Sequence, residues 1–239
     1  AGEVESLPGG VKLKIESLTP RVETYFNFGK KLVKKSLKNK PKITTVDLFQ
    51  ERKFRIRLDT SDTLKNLLIA KVEQKKSVLL FLNRLKESGQ VYCLECKFSG
   101  YSQAPLEFCP NCKGSNINFF SLNLRVIGKQ VEKLLPSVGL RLIKEGGSSI
   151  LKSGSPKVTL ATSAIFSQDS TKFSLIGLIS ADALLNLPDF NSSFRTFATI
   201  VKLSQLADKD GEVLIQTYNL KHLAIQTAAT FDFEKFYQE

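Results

Sequence analysis

Apolar residues recur along this chain in two alternating patterns, short continuous runs and longer stretches with helical spacing. The clearest run is residues 77–82, where every residue after Ser77 is apolar. Such a run is typical of a strand buried on both faces of a parallel sheet. The clearest helical stretch follows Ser61, a good N-cap, and places apolar residues three or four apart as far as Lys76. Because the two patterns alternate, they predict an α/β fold, a parallel sheet with helices on both faces.

The remaining elements are predicted in the same way. Pro20 opens a short helix and Pro136 ends a longer one, as their fixed backbone angles favour. Residues 146–149, two glycines and two serines, indicate a flexible connection. Strands are expected at 11–15, 43–47, 139–143, 158–162, 173–180 and 212–217, and helices from 19, over 125–135, over 191–207 and over 221–238.

All four cysteines fall within twenty residues, as two CxxC pairs separated by twelve residues. Two such turns can offer four thiolates to one tetrahedral ion, so the spacing predicts one structural zinc site in a small inserted element, residues 91–118. Disulfides or four idle thiols are the alternatives, but a disulfide framework suits a small secreted chain. The predicted ligands are Cys93, Cys96, Cys109 and Cys112.

The net charge of the chain indicates the kind of partner it binds. The formal net charge is +12 and the pI is about 9.5, which favours a polyanion such as nucleic acid. Seven lysines also cluster in residues 29–42 without one acid, as a DNA-binding patch or, alternatively, a solvated loop. They are Lys30, Lys31, Lys34, Lys35, Lys38, Lys40 and Lys42.

No part of the sequence indicates secretion or a membrane. The first residues lack the basic and apolar regions of a signal peptide, and no run approaches the roughly 18 apolar residues of a membrane span. A reducing cytoplasm, where thiols stay available for metal, is therefore the expected location. The absence of Met, even at position 1, suggests a processed or excised piece.

Three blocks of sequence together resemble the PriA replication-restart helicases of superfamily 2, the primosomal protein N-prime family. The first is residues 79–84, followed by the first cysteine pair, similar to that family's fourth helicase motif running into its zinc insertion. The second covers 178–190 with 195–197, and the third covers 211–218 with Phe236 and Tyr237 near the end. A weaker match is residues 19–25, similar to the motif that closes the family's first lobe.

This resemblance implies a RecA-like (P-loop NTPase-type) helicase C-terminal lobe with a zinc-binding insertion. Residues 1–45 would be the tail of the first lobe with a basic linker, and residues 46–239 the C-terminal lobe. It also implies a place in DNA replication restart, with forked DNA and primosome proteins as partners.

The departures from the family predict a protein without a working motor. The family has eight cysteines, and only its two outermost pairs have counterparts here. In the family these outer pairs share one ion. The fifth motif's lysine and glycine are replaced by Ser167 and Gln168, and no arginine follows Arg195, although the sixth motif uses two. The sequence has neither a GxxxxGK[ST] loop nor a DExH box, so ATP is not an expected cofactor.

Four further residues have competing interpretations. His222, the only histidine, is expected at the surface or as a helix cap, not in catalysis. Asp182 ends an apolar strand, where it can bind a ligand or, as we expect, cap the next turn. Phe119 and Phe120 can stack on a base or, as we expect, pack against the lobe.

Three functions follow, in order of preference. The first is a non-catalytic DNA-binding and assembly protein of replication restart. The second is one half of an ATP-dependent 3'-5' DNA helicase whose ATP-binding lobe is elsewhere. The third is a protein-interaction scaffold without DNA binding.

Overall fold

A computed structural model describes residues 6–7, 10–11, 31, 41–51, 60–82, 89–96, 98–102, 104–154, 157–168, 171–185 and 191–238. The predicted strand at 11–15 and the helix from Thr19 lie almost wholly outside these residues. The described strands are β1 (Ser6–Leu7), β2 (Gly10–Val11), β3 (Lys42–Asp47), β4 (Val78–Phe81), β5 (Gly89–Cys93), β6 (Ser99–Ser102), β7 (Ile117–Ser121), β8 (Gly139–Lys144), β9 (Gly147–Lys152), β10 (Lys157–Ala161), β11 (Phe173–Leu178) and β12 (Ala207–Thr217).

Within the described residues, seven strands form the main sheet in the order β3-β12-β11-β4-β10-β8-β9. Six are parallel, and only β9 runs antiparallel to its neighbour β8. The continuous apolar run became β4, at the centre of the sheet between β10 and β11, and its four side chains are fully buried. A strand covered on both faces has no solvent side to carry polar residues, which explains the missing alternation.

Helices cover both faces of this sheet, as predicted. They are α1 (Leu48–Glu51), α2 (Asp62–Glu73), α3 (Leu124–Leu134), a 3₁₀ helix (Ser163–Ser167), α4 (Asp182–Leu185), α5 (Ser192–Gln205), α6 (Leu223–Thr230) and α7 (Phe233–Gln238).

Side chains of α2 and α3 form one buried core with one face of the sheet, and those of α5, α6 and α7 form a second core with the other face. The Ser61 Oγ accepts from the Leu64 amide at 3.0 Å, so the predicted cap does begin α2. The α/β prediction is therefore confirmed, and the layers match a RecA-like lobe.

Two local predictions are wrong. Residues 146–149 are not a flexible connection. Gly146 (φ +87°) and Gly147 (φ +134°) make the tight turn of a hairpin, and Ser148 in β9 pairs with Ile143 in β8. The terminal helix is also two helices, since Phe231 adopts a left-handed conformation (φ +59°) that ends α6 before α7 begins.

The cysteine-containing segment between β4 and α3 forms a separate small sheet. Its strands are antiparallel in the order β6-β5-β7, with β5 pairing along its length to β7. The Asn123 Oδ1 accepts from the Val126 amide at 3.0 Å, which begins α3 and returns the chain to the main sheet. The four cysteines thus lie in and beside a three-stranded sheet that is separate from the main sheet.

Candidate metal centre and the carboxyl edge of the sheet

The four cysteine sulfurs meet at one point. All lie within 4.8 Å of one another, and the Cys93–Cys112 and Cys96–Cys109 pairs have Sγ atoms 3.6 Å apart. A tetrahedral ion with metal–sulfur bonds of about 2.3 Å separates its ligands by roughly 3.8 Å, whereas a disulfide requires about 2.05 Å. All four thiols are free, so the arrangement fits one metal ion and not the disulfide alternative.

The two cysteine turns are also hydrogen-bonded to each other. The Leu94 amide donates to the Asn116 carbonyl at 3.0 Å, and the Glu95 carboxylate accepts from the Asn116 amide at 3.3 Å. Gly114 lies against this carboxylate, where a Cβ atom would clash with it. Within the second turn, the Cys109 amide donates to the Gly114 carbonyl at 2.8 Å. These contacts hold the two cysteine turns against each other.

The electrostatics of the four sulfurs favour a cation. The Asn111 side-chain amide, 3.4 Å from the Cys96 Sγ, stabilises the thiolate and lowers the pKa of Cys96 to about 6. The Gly114 amide also favours the thiolate at Cys112, but burial and the neighbouring sulfurs outweigh it and raise the pKa of Cys112 to about 12. Four adjacent thiols cannot all ionise alone, and a bound cation removes that conflict.

Asp182 lies at the carboxyl edge of the main sheet, where β11 and β12 end. Its Oδ1 accepts from the Thr217 hydroxyl at 3.1 Å and its Oδ2 from the Tyr218 amide at 3.0 Å. The prediction that Asp182 caps the next turn is therefore wrong. Ser180 caps this turn instead, because its Oγ accepts from the Ala183 amide at 3.2 Å. Both carboxylate oxygens instead join the end of β11 to the end of β12.

Gln216, in the same corner, is a bridging side chain that sequence reasoning missed. It is fully buried, its Nε2 donates to the Ile179 carbonyl at 2.8 Å, and its Oε1 accepts from the Ser61 amide at 2.6 Å. One side chain thus ties the start of α2 to β11 and β12. A polar residue among the apolar residues of β12 was the available signal, since buried polar groups require partners.

Residues 161–168, the stretch predicted to correspond to the fifth helicase motif, end β10 and continue into a short 3₁₀ helix at this same edge. Thr162 is fully buried and is the N-cap of the 3₁₀ helix. Within that helix, Phe166 packs on Phe81 with ring centroids 5.6 Å apart, and the Lys202 ammonium lies 5.6 Å from the Phe166 ring. The stretch is a packed structural turn in which Ser167 ends the helix.

The other predicted residues have simpler positions. His222 caps α6, since its Nδ1 accepts from the Ala224 amide at 3.2 Å, which confirms the cap. Phe119 is half-buried in β7 opposite the buried Val91, whereas the side chain of Phe120 lies outside the described set. Lys31 and Lys42 are exposed, and Lys42 begins β3. The other predicted DNA-binding residues, Lys30, Lys34, Lys35, Lys38 and Lys40, lie outside the described residues.

Curated relatives of this chain share one name, Replication restart protein PriA. The Bacillus subtilis (strain 168) protein is 29% identical over 269 aligned positions, which cover 93% of this chain and 33% of that protein. The proteins of Borreliella burgdorferi and Thermotoga maritima are each 24% identical, covering 95% and 96% of this chain and 40% and 36% of their own lengths.

The matches extend across nearly the whole chain but not the whole of its relatives. No family model matches the sequence. In the described part of the chain, no helix is both long and apolar enough to cross a membrane. These relatives confirm the predicted resemblance to the PriA proteins, and the chain spans about a third of the length of the curated relatives it matches.

Proposed function

We propose that this chain acts in DNA replication restart as a PriA-like primosomal protein that binds forked DNA and assembles replication proteins on it. The match to restart proteins over more than nine-tenths of the chain carries this proposal. The folded cysteine element supports it, because the resemblance implies a zinc insertion at this point. The cytoplasm stays the predicted location.

Zinc is the metal that we propose for the cysteine site. Cys93, Cys96, Cys109 and Cys112 would hold it with four thiolates, and a closed four-thiolate site is typical of structural zinc. When bound, the ion supplies no open position for a substrate. Its role is to fix the two cysteine turns, so that the small sheet presents a defined surface to DNA or to a partner.

DNA binding is proposed to use the lysines between residues 30 and 42. The formal charge of +12 supports a polyanionic partner, and the exposure of Lys31 and Lys42 is consistent with phosphate contacts. In this proposal residues 1–45 are a first-lobe tail with a basic linker, residues 46–239 the C-terminal lobe and residues 91–118 the zinc element.

We further propose that the chain has no ATPase activity of its own. Phosphoryl transfer depends on positioned charge, and loss of an arginine finger alone costs about 10³- to 10⁵-fold in rate. The counterpart of the fifth motif carries Ser167 and Gln168 in place of its lysine and glycine, and no arginine follows Arg195 in this sequence. DNA binding without ATP turnover is the expected behaviour.

Fluorescence anisotropy of the zinc-loaded protein tests this function. Binding to a three-way fork is compared with binding to a duplex of equal length, at low and moderate salt. We expect a preference for the fork and an affinity that falls steeply with salt. Two variants with the same loss of charge locate the patch. In the first, glutamine replaces Lys30, Lys31, Lys34 and Lys35. In the control, glutamine replaces Lys65, Lys75, Lys172 and Lys221. Affinity that does not change with salt, or equal loss in both variants, contradicts the proposal.

A second candidate function is one half of an ATP-dependent helicase. It is favoured by one observation, that the chain covers only about a third of its relatives, so an ATP-binding lobe has room to lie in the remainder. Its test is ATPase activity that appears only when a candidate first lobe is mixed with this chain. Without such activity in the presence of forked DNA, the non-catalytic function stands.

A further inference from the structure

Helix α3 carries an exposed row of positive charge that the proposed function does not use. Arg125, Lys129 and Lys133 recur every four residues, and all three are exposed. The opposite side of the helix is buried against the sheet through Leu124, Ile127, Gly128 and Val131. These three cations, the α3 basic row, therefore face solvent together along the length of the helix.

Such a row is unfavourable for the isolated helix. Exposed helical cations are usually stabilised by an acid three or four residues away, whereas each member of this row has a like charge as its neighbour four residues away. Glu132, three residues after Lys129, is the only acid in α3, and it is half-buried and forms no ion pair with Lys129. Neither of the two ion pairs found among the described residues includes a member of the row. A polyanion is the partner that turns this repulsion into attraction.

The spacing of the row suits a nucleic-acid strand. A helix rises about 1.5 Å per residue, so the three charges repeat every ~6 Å and span ~12 Å. One strand of a duplex presents a phosphate about every 3.4 Å along the axis, so the row spans roughly three to four phosphates. Beyond the last turn, the Lys152 ammonium is held by the Pro136 carbonyl and adds a fourth positive charge at that end.

We propose that the α3 basic row is a second DNA-binding surface, which contacts the phosphates of one strand without reading base sequence. This inference rests on the proposed DNA-binding function but uses residues far in sequence from the lysines at 30–42. A surface on the rigid lobe and a basic segment near the N-terminus would hold DNA at two places. Part of the salt dependence of DNA affinity then comes from these three residues and not from the total charge of the protein.

The test compares two triple variants with the same loss of charge. R125Q/K129Q/K133Q removes the row, whereas K76Q/K209Q/K221Q removes three lysines that are exposed on other parts of the chain. Affinity for random-sequence single strand and duplex is measured by anisotropy across a salt series. We expect the slope of log K against log salt to fall by about 2 to 3 in the first variant, since each phosphate contact contributes about 0.7 to 0.9. In the second variant it should fall by less than about 1.

A third variant, Lys129→Glu, separates binding from folding. Glutamate at this position lies four residues from both Arg125 and Lys133, so the midpoint of thermal unfolding stays level or rises while DNA binding weakens. Equal slopes in the two triple variants, with normal binding by the original protein, overturn the row and leave the proposed function intact. Failure of the original protein to bind any DNA overturns both.

Discussion

The cysteine element and the carboxyl-edge corner are held together in different ways. The four clustered cysteine sulfurs come from residues 93–112, and the hydrogen bonds around them join residues that are close in sequence. The corner instead joins Ser61, Asp182 and Gln216. Its hydrogen bond between Ser61 and Gln216 connects residues that are 155 positions apart in the sequence. We therefore expect the first region to depend on a bound ion and the second to depend on the main sheet having already formed.

Metal removal is the change with the largest expected effect, and it should act on one region only. Chelation, or Cys109→Ser at a buried ligand, removes a contribution that is about 10 kcal/mol or more for structural zinc sites. None of the four cysteines belongs to the two cores of the main sheet. We expect amides of residues 91–117 to lose hydrogen-exchange protection by on the order of 100-fold or more, while those of β4 and β11 keep theirs.

Metal analysis accompanies this experiment. The original protein should carry one zinc per chain and Cys109→Ser much less, with Ser115→Ala, an exposed residue of the same element, as the control. Unchanged protection in the metal-free protein would mean that the contacts between Leu94, Glu95 and Asn116 suffice to hold the element. The distinction between the two regions would then disappear.

Gln216→Leu tests the corner. Leucine fits a buried site but leaves the Ser61 amide and the Ile179 carbonyl without partners, at about 1–3 kcal/mol for each unsatisfied group. We expect the free energy of unfolding in urea to fall by roughly 2–6 kcal/mol with metal content unchanged. The same substitution at the exposed Gln226 should cost less than about 0.5 kcal/mol. Similar losses at the two positions would contradict the bridging role of Gln216.

Asp182→Asn asks whether the carboxylate itself is needed. An amide offers one acceptor oxygen, so either the Thr217 hydroxyl or the Tyr218 amide loses its partner. Because Asp182 is only half-buried, water replaces part of the interaction, and we expect a loss of about 1–2 kcal/mol. A double-mutant cycle with Thr217→Val measures the coupling, and Asp210→Asn is an exposed control. No coupling would show that Asp182 acts alone.

The same contrast explains what the sequence could predict. The cysteine spacing, the apolar run of β4 and the Ser61 cap are local patterns, and each was found where it was expected. The partners of Asp182 and Gln216 depend on which strands become neighbours, and β11 and β12 are separated by α4 and α5 in the sequence. A carboxylate at a strand end is compatible with several partners until the neighbouring strand is known.

The hairpin of β8 and β9 was missed for a different reason. Consecutive glycines and serines are typical both of flexible connections and of tight turns, and only pairing with β8 decides between them. Phe231 gave even less signal, because a left-handed conformation at a phenylalanine is uncommon. It became the end of α6 because its amide donates to the Ala228 carbonyl and its side chain is buried in the core.

His222 provides the test with the smallest expected effect. Its contact joins residues that are close in sequence, as in the cysteine element, but it needs no metal. Its Nδ1 accepts from the Ala224 amide at the start of α6, so His222→Ala leaves that amide to water and should cost about 0.5–1 kcal/mol. His222→Ser should recover most of this loss, because a serine hydroxyl is a good helix cap. Urea unfolding of both variants measures the difference. If Ser and Ala destabilise equally, the imidazole acts by packing, and local hydrogen bonds matter less here than the comparison of the two regions implies.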